Sequence, residues 1–336
     1  MRKYSIDVCR AAACILVLMG HALTLFNGDD PTTTTWAIAN YFHTALHFAV
    51  NPFFMISGAL ILGREKLNLK KHMKRTLHFL ALYFIWGFIF ACLDNSFWHV
   101  WYNEASLAQL IFGGYYHLWY LAAMILCYAF LPLLHSAIHK TGLNMKYCFG
   151  LVVFTVLVVN TDYLPNKPIW LELLLQNFDL AYLKYLVYFF LGWWLSQRKL
   201  SGKEFGLLAL ASFVAVTVYA WLNRRYSISI GEPSGLFYDF LSPAMVLLTS
   251  LAFSLCMYVK AVPQRLVGIM DEFLACSFGI YLIHVPITTM IKASGIDLSQ
   301  YSMVIMAPIV FALLLVITFA LVFGLRRIPL IKKLVT

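Results

Sequence analysis

The chain has 336 residues, of which 62% are hydrophobic and 12% charged, with a formal net charge of +10 and a mean hydropathy of +0.77. Those proportions exclude a soluble globular domain and place the protein in a bilayer. The basic residues are scattered over short segments, which argues against a nucleic-acid partner.

Apolar segments near the 17 to 25 residues needed to cross hydrocarbon recur along the whole chain. The pattern predicts about ten transmembrane helices, at roughly 7–26, 38–62, 77–93, 116–134, 147–160, 182–197, 204–221, 243–259, 272–291 and 304–324. The expected fold is therefore an all-α, polytopic helical bundle, a single integral-membrane domain over residues 1–336 in contact with membrane lipids. Lys and Arg favour the cytoplasmic side of membrane spans. A cytoplasmic N-terminus leaves only Lys167, Lys184, Arg224, Arg225 and Lys292 of the 25 basic residues outside, so both termini are expected to be cytoplasmic. The apolar run follows the "AAAC" at 11–14 rather than preceding it, so the first span is expected to be retained rather than cleaved. No two cysteines fall together in an outer loop, and no disulfide is expected.

The first span, "IDVCRAAACILVLMGH" (6–21), carries Asp7, Arg10 and His21. At 100° and 1.5 Å per residue, Arg10 and His21 lie about 20° apart around a helix and about 16 Å apart along it, with Asp7 one turn before Arg10. Charged groups at membrane depth cost roughly 2.5 to 3.5 kcal/mol even on insertion scales, so this stripe should face the bundle interior or a wet cavity. Packing remains a second reading: an ion pair of Asp7 with Arg10, and a hydrogen bond from His21 to a neighbouring helix.

The second span brings His43, His47 and Asn51 at i, i+4 and i+8, to about the depth that His21 reaches from the other side. His117 and His284 fall at comparable depth in the fourth and ninth spans. The His-x-x-x-His spacing also suits a metal ion, but no neighbouring Glu or Cys completes a ligand set, and no metal is expected. After Asn51 and Pro52 comes Ser57-Gly58, and then a segment read as a basic inner loop with Arg64, Lys66, Lys70, Lys71, Lys74 and Arg75 against one Glu65. That loop fits either ordinary inner-side charge with anionic lipid or a dedicated phosphate site.

These residues, with "NPFFMISGALI" (51–61), "HMKRTLHFLALY" (72–83), "HLWYLAAMILCYAFLPLL" (117–134), "YLVYFFLGWWL" (185–195), "SPAMVLLTSLAF" (242–253) and "SFGIYLIH" (277–284), together resemble the acyltransferase-3 family of bacterial inner-membrane enzymes. The most specific elements are an Arg and a His separated by ten residues, Arg10 and His21, and the Phe-Phe-x-x-Ser-Gly run at 53–58. Within the family the chain looks most like the short stand-alone O-acetyltransferases of polysaccharide building blocks, such as the enterobacterial common antigen type. It departs from the frequent Arg-x-x-Arg before the third span, since Arg75 is followed by His78.

The resemblance implies transfer of an acetyl group from cytoplasmic acetyl-CoA, a donor substrate and not a permanently bound cofactor, to an extracytoplasmic glycan or lipid-linked sugar. It implies a catalytic set of His21, Arg10 and Asp7, with His21 the general base and Arg10 binding the donor or fixing the inner end of a channel. Arg75, Lys74, Lys71 and Ser57 are expected on the donor. His43, His47, Asn51, His117, Trp119, Tyr281 and His284 are expected on the acceptor side, with Asn51, Ser57 and Tyr281 as candidate oxyanion donors. Direct transfer and an acetyl-histidine intermediate both remain open, as do an acetyl or a succinyl donor and the oligomeric state. A carrier of lipid-linked sugars or anions, with broken helices and midplane polar groups, and a non-catalytic component of polysaccharide assembly are the alternative readings.

Overall fold

A computed structural model describes residues 4–26, 30–93, 116–140, 181–296 and 301–335, with the single positions Gly150 and Leu298. Every regular element among them is helical. The chain forms α1 (Tyr4–Leu23), α2 (Thr34–Leu46), α3 (Asn51–Ile61), α4 (Leu69–Leu93), α5 (Trp119–Lys140), α6 (Leu186–Gln197), α7 (Gly202–Ile230), α8 (Pro243–Met257), α9 (Gln264–Ala293), α10 (Met303–Leu325) and α11 (Pro329–Val335). Seven helical stretches among the described residues are long and apolar enough to cross a membrane, α2 and α3 counting as one through the 3-10 turn at His47–Val50. The sixth and eighth expected spans are the shorter apolar helices α6 and α8, of 12 and 15 residues. The expected span at 147–160 lies outside the described residues.

Three boundaries differ from the hydropathy pattern, each for a local reason. The third helix begins at Leu69, not 77, because the Asn68 side chain accepts the Lys71 N–H at 2.9 Å and starts the helix two turns early. Lys70, Lys71, Lys74 and Arg75 are thus helical residues, which corrects their reading as a loop. A capping box of Ser201 and Glu204 opens α7, and Gly231 closes it with φ 77°, extending the helix well past 221. The ninth starts at Gln264, immediately after Pro263, rather than at 272.

The second span changes helix type at Asn51-Pro52, and Pro52 costs the helix nothing there. The 3-10 turn at His47–Val50 ends there, and Pro52 occupies the first turn of α3, where its missing N–H has no helical partner to lose.

Helix α1 is central, packing against α2, α3, α8, α9 and α10. Its run of Cys9, Ala11, Ala12, Ala13 and Cys14 presents little side-chain bulk, which suits close helix approach where apolar lipid gives no hydrophobic drive. The closest crossing joins α3 to α6. A Cβ on Gly58 would overlap the backbone of Phe189, and one on Gly192 would overlap the backbone of Met55. The Ser-Gly of the second span is therefore a backbone-to-backbone contact, flanked by the fully buried Phe54, Met55, Tyr188 and Phe189.

Adding a methyl at either crossing glycine should force the helices apart. Gly58→Ala and Gly192→Ala are each expected to lower stability by about 1 to 3 kcal/mol or more, read as the midpoint of denaturant-induced unfolding of purified protein. Gly63→Ala is the control, since a Cβ there meets nothing closer than 3.5 Å.

Candidate active site

The stripe on α1 faces a cavity of about 750 Å³, to which Arg10, Cys14, Val17, Leu18 and His21 all contribute. Their spacing of three and four residues is one face of a helix. Helix α3 approaches from the other direction and adds Phe53, Ile56, Ser57 and Leu60, followed by Arg64. Arg75 and His78 of α4, Tyr120 and Tyr128 of α5, and Phe278, Tyr281 and His284 of α9 complete the wall.

The two ends differ in chemistry. One holds Arg10, Arg64, Arg75 and His78, the last three exposed to solvent, so this end is the mouth. The other, about 16 Å further along α1 by helical rise, collects His21, His43, His47, His117 and His284 with Trp119 and Phe240. The rings of His21 and His284 meet edge-on with centroids 4.7 Å apart, and those of His43 and His47 lie 5.4 Å apart. Among the described residues no group of three or more His, Cys, Asp or Glu side chains is placed to hold a metal ion.

Three consecutive residues, each anchored to different elements, pack beside the histidine end. The Tyr238 hydroxyl donates to Asn40 Oδ1 at 2.6 Å on α2. Asp239 pairs with Lys184 at 3.0 Å. The Phe240 carbonyl accepts from the Tyr188 hydroxyl and from Asn51 Nδ2 at 3.2 Å. Phe240 is thereby stacked on His47, with centroids 4.2 Å apart, and lies 4.7 Å from Trp119.

Histidines also hold the scaffold around the mouth. Pro132 lies inside α5 and has no N–H for the carbonyl four residues back, that of Tyr128. His72 Nε2, buried on α4, supplies the missing donor at 2.7 Å. Tyr128 is thus held by its backbone while its hydroxyl donates to Ser57 Oγ at 3.3 Å in the cavity wall. One turn apart on the same helix, His135 donates to the Arg64 carbonyl at 2.6 Å and His139 to the Leu62 carbonyl at 2.9 Å. These bonds pin the corner that carries Arg64.

Of the residues singled out from sequence, the cavity brings together His21, Arg10, Arg75, Ser57, His43, His47, His117, Trp119, Tyr281 and His284. It does not include Asp7, Lys71, Lys74 or Asn51. Lys71 and Lys74 are exposed on α4 away from the lining. Asn51 is fully buried; its Nδ2 lies 2.9 Å from the Tyr188 hydroxyl and 3.3 Å from Thr249 Oγ1, tying α3 to α6 and α8. The Tyr281 hydroxyl donates to the His117 carbonyl at 2.8 Å, which ties α9 to the turn before α5.

Sequence reasoning passed over Arg64 and His78 as site residues, although their spacing gave a signal. Arg64 continues the face of Phe53, Ser57 and Leu60, and His78 follows Arg75 by three residues, so the departure from Arg-x-x-Arg keeps a polar group on the cavity. Phe240 sits in a connection, and no periodicity could have marked it.

The acyltransferase-3 family model, described as an acyltransferase domain, matches residues 3–327. The chain belongs to that family. Comparison with curated proteins and with solved structures gives no match. Family and fold together make the protein a multi-pass membrane acyltransferase.

The support for Tyr128 can be tested by a double-mutant cycle. His72→Phe leaves the Tyr128 carbonyl without its donor and is expected to cost about 1 to 3 kcal/mol. In a Pro132→Ala background, where the backbone N–H restored at that position can serve the carbonyl, the same change should cost measurably less in denaturant unfolding.

Proposed function

We propose that this acyltransferase moves an acetyl group from cytoplasmic acetyl-CoA to a hydroxyl of an extracytoplasmic sugar, in a surface polysaccharide or its lipid-linked precursor. The reading places the protein in a bacterial inner membrane with both termini in the cytoplasm. The observation that carries it is one continuous cavity with arginines at one end and histidines at the other. A donor with anionic phosphates and a long thioester arm suits that shape. Guanidinium groups bind phosphate by charge-assisted, often bidentate, hydrogen bonds, while the arm lies along the α1 stripe.

At the histidine end, His21 serves as general base. Its ring takes the proton of the sugar hydroxyl as that oxygen attacks the thioester carbonyl. Collapse of the tetrahedral adduct expels the CoA thiolate, which recovers the proton from His21, so nothing is left over. Imidazole suits this role because its ordinary pKa of about 6.5 lies near neutrality. Arg10 is about 16 Å from His21 along the helix and belongs to the donor, not to the proton transfer.

The reading is tested with purified protein in nanodiscs, acetyl-CoA and an alkyl glycoside, following CoA thiol release and acetylation of the glycoside by mass spectrometry. His21→Ala should keep CoA binding and lower transfer by roughly 100- to 10,000-fold; near-normal turnover would refute the base assignment.

Donor binding separates the basic residues by position. Arg64→Ala and Arg75→Ala should each weaken CoA binding by about 1.5 to 3 kcal/mol before screening. Lys71→Ala and Lys74→Ala, which do not line the cavity, should change it by less than about 1 kcal/mol. Calorimetric titration of CoA into the four variants gives the comparison.

A further inference from the structure

His284 is 1% exposed and sits in the wall beside His21. Its Nδ1 lies 3.1 Å from the Ile280 carbonyl. A carbonyl only accepts, so Nδ1 carries the proton and Nε2 is left as a bare lone pair. That Nε2 is buried and has no hydrogen-bond partner among the described residues, a costly state for a polar atom.

Burial also says what this lone pair can serve. A general base must reach the proton of its substrate, and a covered nitrogen does not. The ring packed nearest to it is that of His21, edge-on with centroids 4.7 Å apart and 64° between planes; His117 lies further off, at 6.1 Å. Rotation about χ2, a broad torsion in histidine, turns that edge contact into a nitrogen-to-nitrogen hydrogen bond.

We propose that His284 is the positioning residue for His21: its Nε2 accepts the N–H of His21 and thereby fixes the tautomer whose other nitrogen presents a lone pair to the cavity. This rests on His21 being the base. The logic is that of a triad whose third member orients the imidazole without itself taking the proton. When His21 gains the substrate proton, both its nitrogens carry hydrogens. One remains bonded to His284, and the other returns its proton to the departing thiolate, so His284 gains and loses none.

Two substitutions separate orientation from packing. His284→Asn keeps a donor near the Nδ1 position for Ile280 and removes the acceptor, whereas His284→Gln puts an acceptor oxygen near the Nε2 position and gives up that donor. In nanodiscs, with acetyl-CoA and an alkyl glycoside, kcat should fall about 10- to 100-fold in His284→Asn, KM for acetyl-CoA should stay within about threefold, and His284→Gln should recover much of the loss. Ring shifts of 15N-histidine, with the His21 signals identified by their loss in His21→Ala, should show one tautomer in wild type and His284→Gln and an averaged pair in His284→Asn.

A wild-type kcat and unchanged His21 shifts in His284→Asn would overturn the proposal. So would equal losses in both variants with a raised KM, the signature of a packing role. Failure of the underlying reading looks different: His21→Ala would then retain turnover, whatever the shifts of His21 in the His284 variants.

Discussion

Hydrocarbon cannot solvate a guanidinium or an imidazole, and the arrangement of this bundle follows from that constraint. Arg10 and His21 share one stripe of α1, so a helix that must hide both has one orientation left to it. Placing α1 among α2, α3, α8, α9 and α10 turns the stripe onto a protein-lined cavity, and the other polar groups assemble around the same space. His43 and His47 come from α2 and the turn after it, His117 from the turn before α5, and His284 from α9. A site built from four separate segments is what a shared need to escape lipid would produce.

The scaffold around the cavity answers a second constraint, that every backbone carbonyl at membrane depth needs a partner. Pro132 interrupts α5, and His72 restores the bond that the Tyr128 carbonyl would otherwise lack. Leu62 and Arg64, past the end of α3, are served by His139 and His135. Asn51 and Tyr188 hold the Phe240 carbonyl. Each bond links two elements distant in sequence, so the irregular backbone at the two ends of the cavity is fixed by polar contacts. The apolar crossing of α3 and α6, closed by Gly58 and Gly192, supplies the rigid floor between them.

Much of this was legible in the residues. Helical periodicity alone places Arg10 and His21 on one face, although Asp7, one turn before Arg10, does not line the cavity, and the i, i+4 spacing of His43 and His47 puts them together. The α4 boundary was legible in principle, since Asn68 followed by helix-forming residues is an N-cap signal; hydropathy masked it, because the first two turns of that helix are basic. Lys71 and Lys74 were read with Arg75 as one patch, but Lys74 is turned about 100° around the helix from Arg75, and Lys71 lies one turn nearer the start of α4, so of the three only Arg75 lines the cavity. A polar residue at membrane depth such as Asn51 signals a partner but not which partner, and its partners are Tyr188, Thr249 and Phe240, 137 to 198 residues away. Phe240 lies in a connection whose conformation depends on three anchors from elsewhere in the chain, information no local pattern contains.

The choice of histidine for so much of this work has a physical basis. Lys and Arg carry a charge that membrane depth penalises, and Ser or Thr tend to return their hydroxyl to their own helix, as Thr44, Thr249 and Thr318 do here. A neutral imidazole offers one donor and one acceptor on a rigid ring long enough to reach a neighbouring helix. Of the ten histidines in the chain, His72, His135 and His139 use the donor on a backbone carbonyl. His284 does the same with Nδ1, which leaves its second nitrogen bare in a ring packed edge-on against His21. The same bond that settles a structural histidine therefore settles, one ring further on, which nitrogen of His284 stays bare, and so converts a packing contact into a direction for the His21 proton.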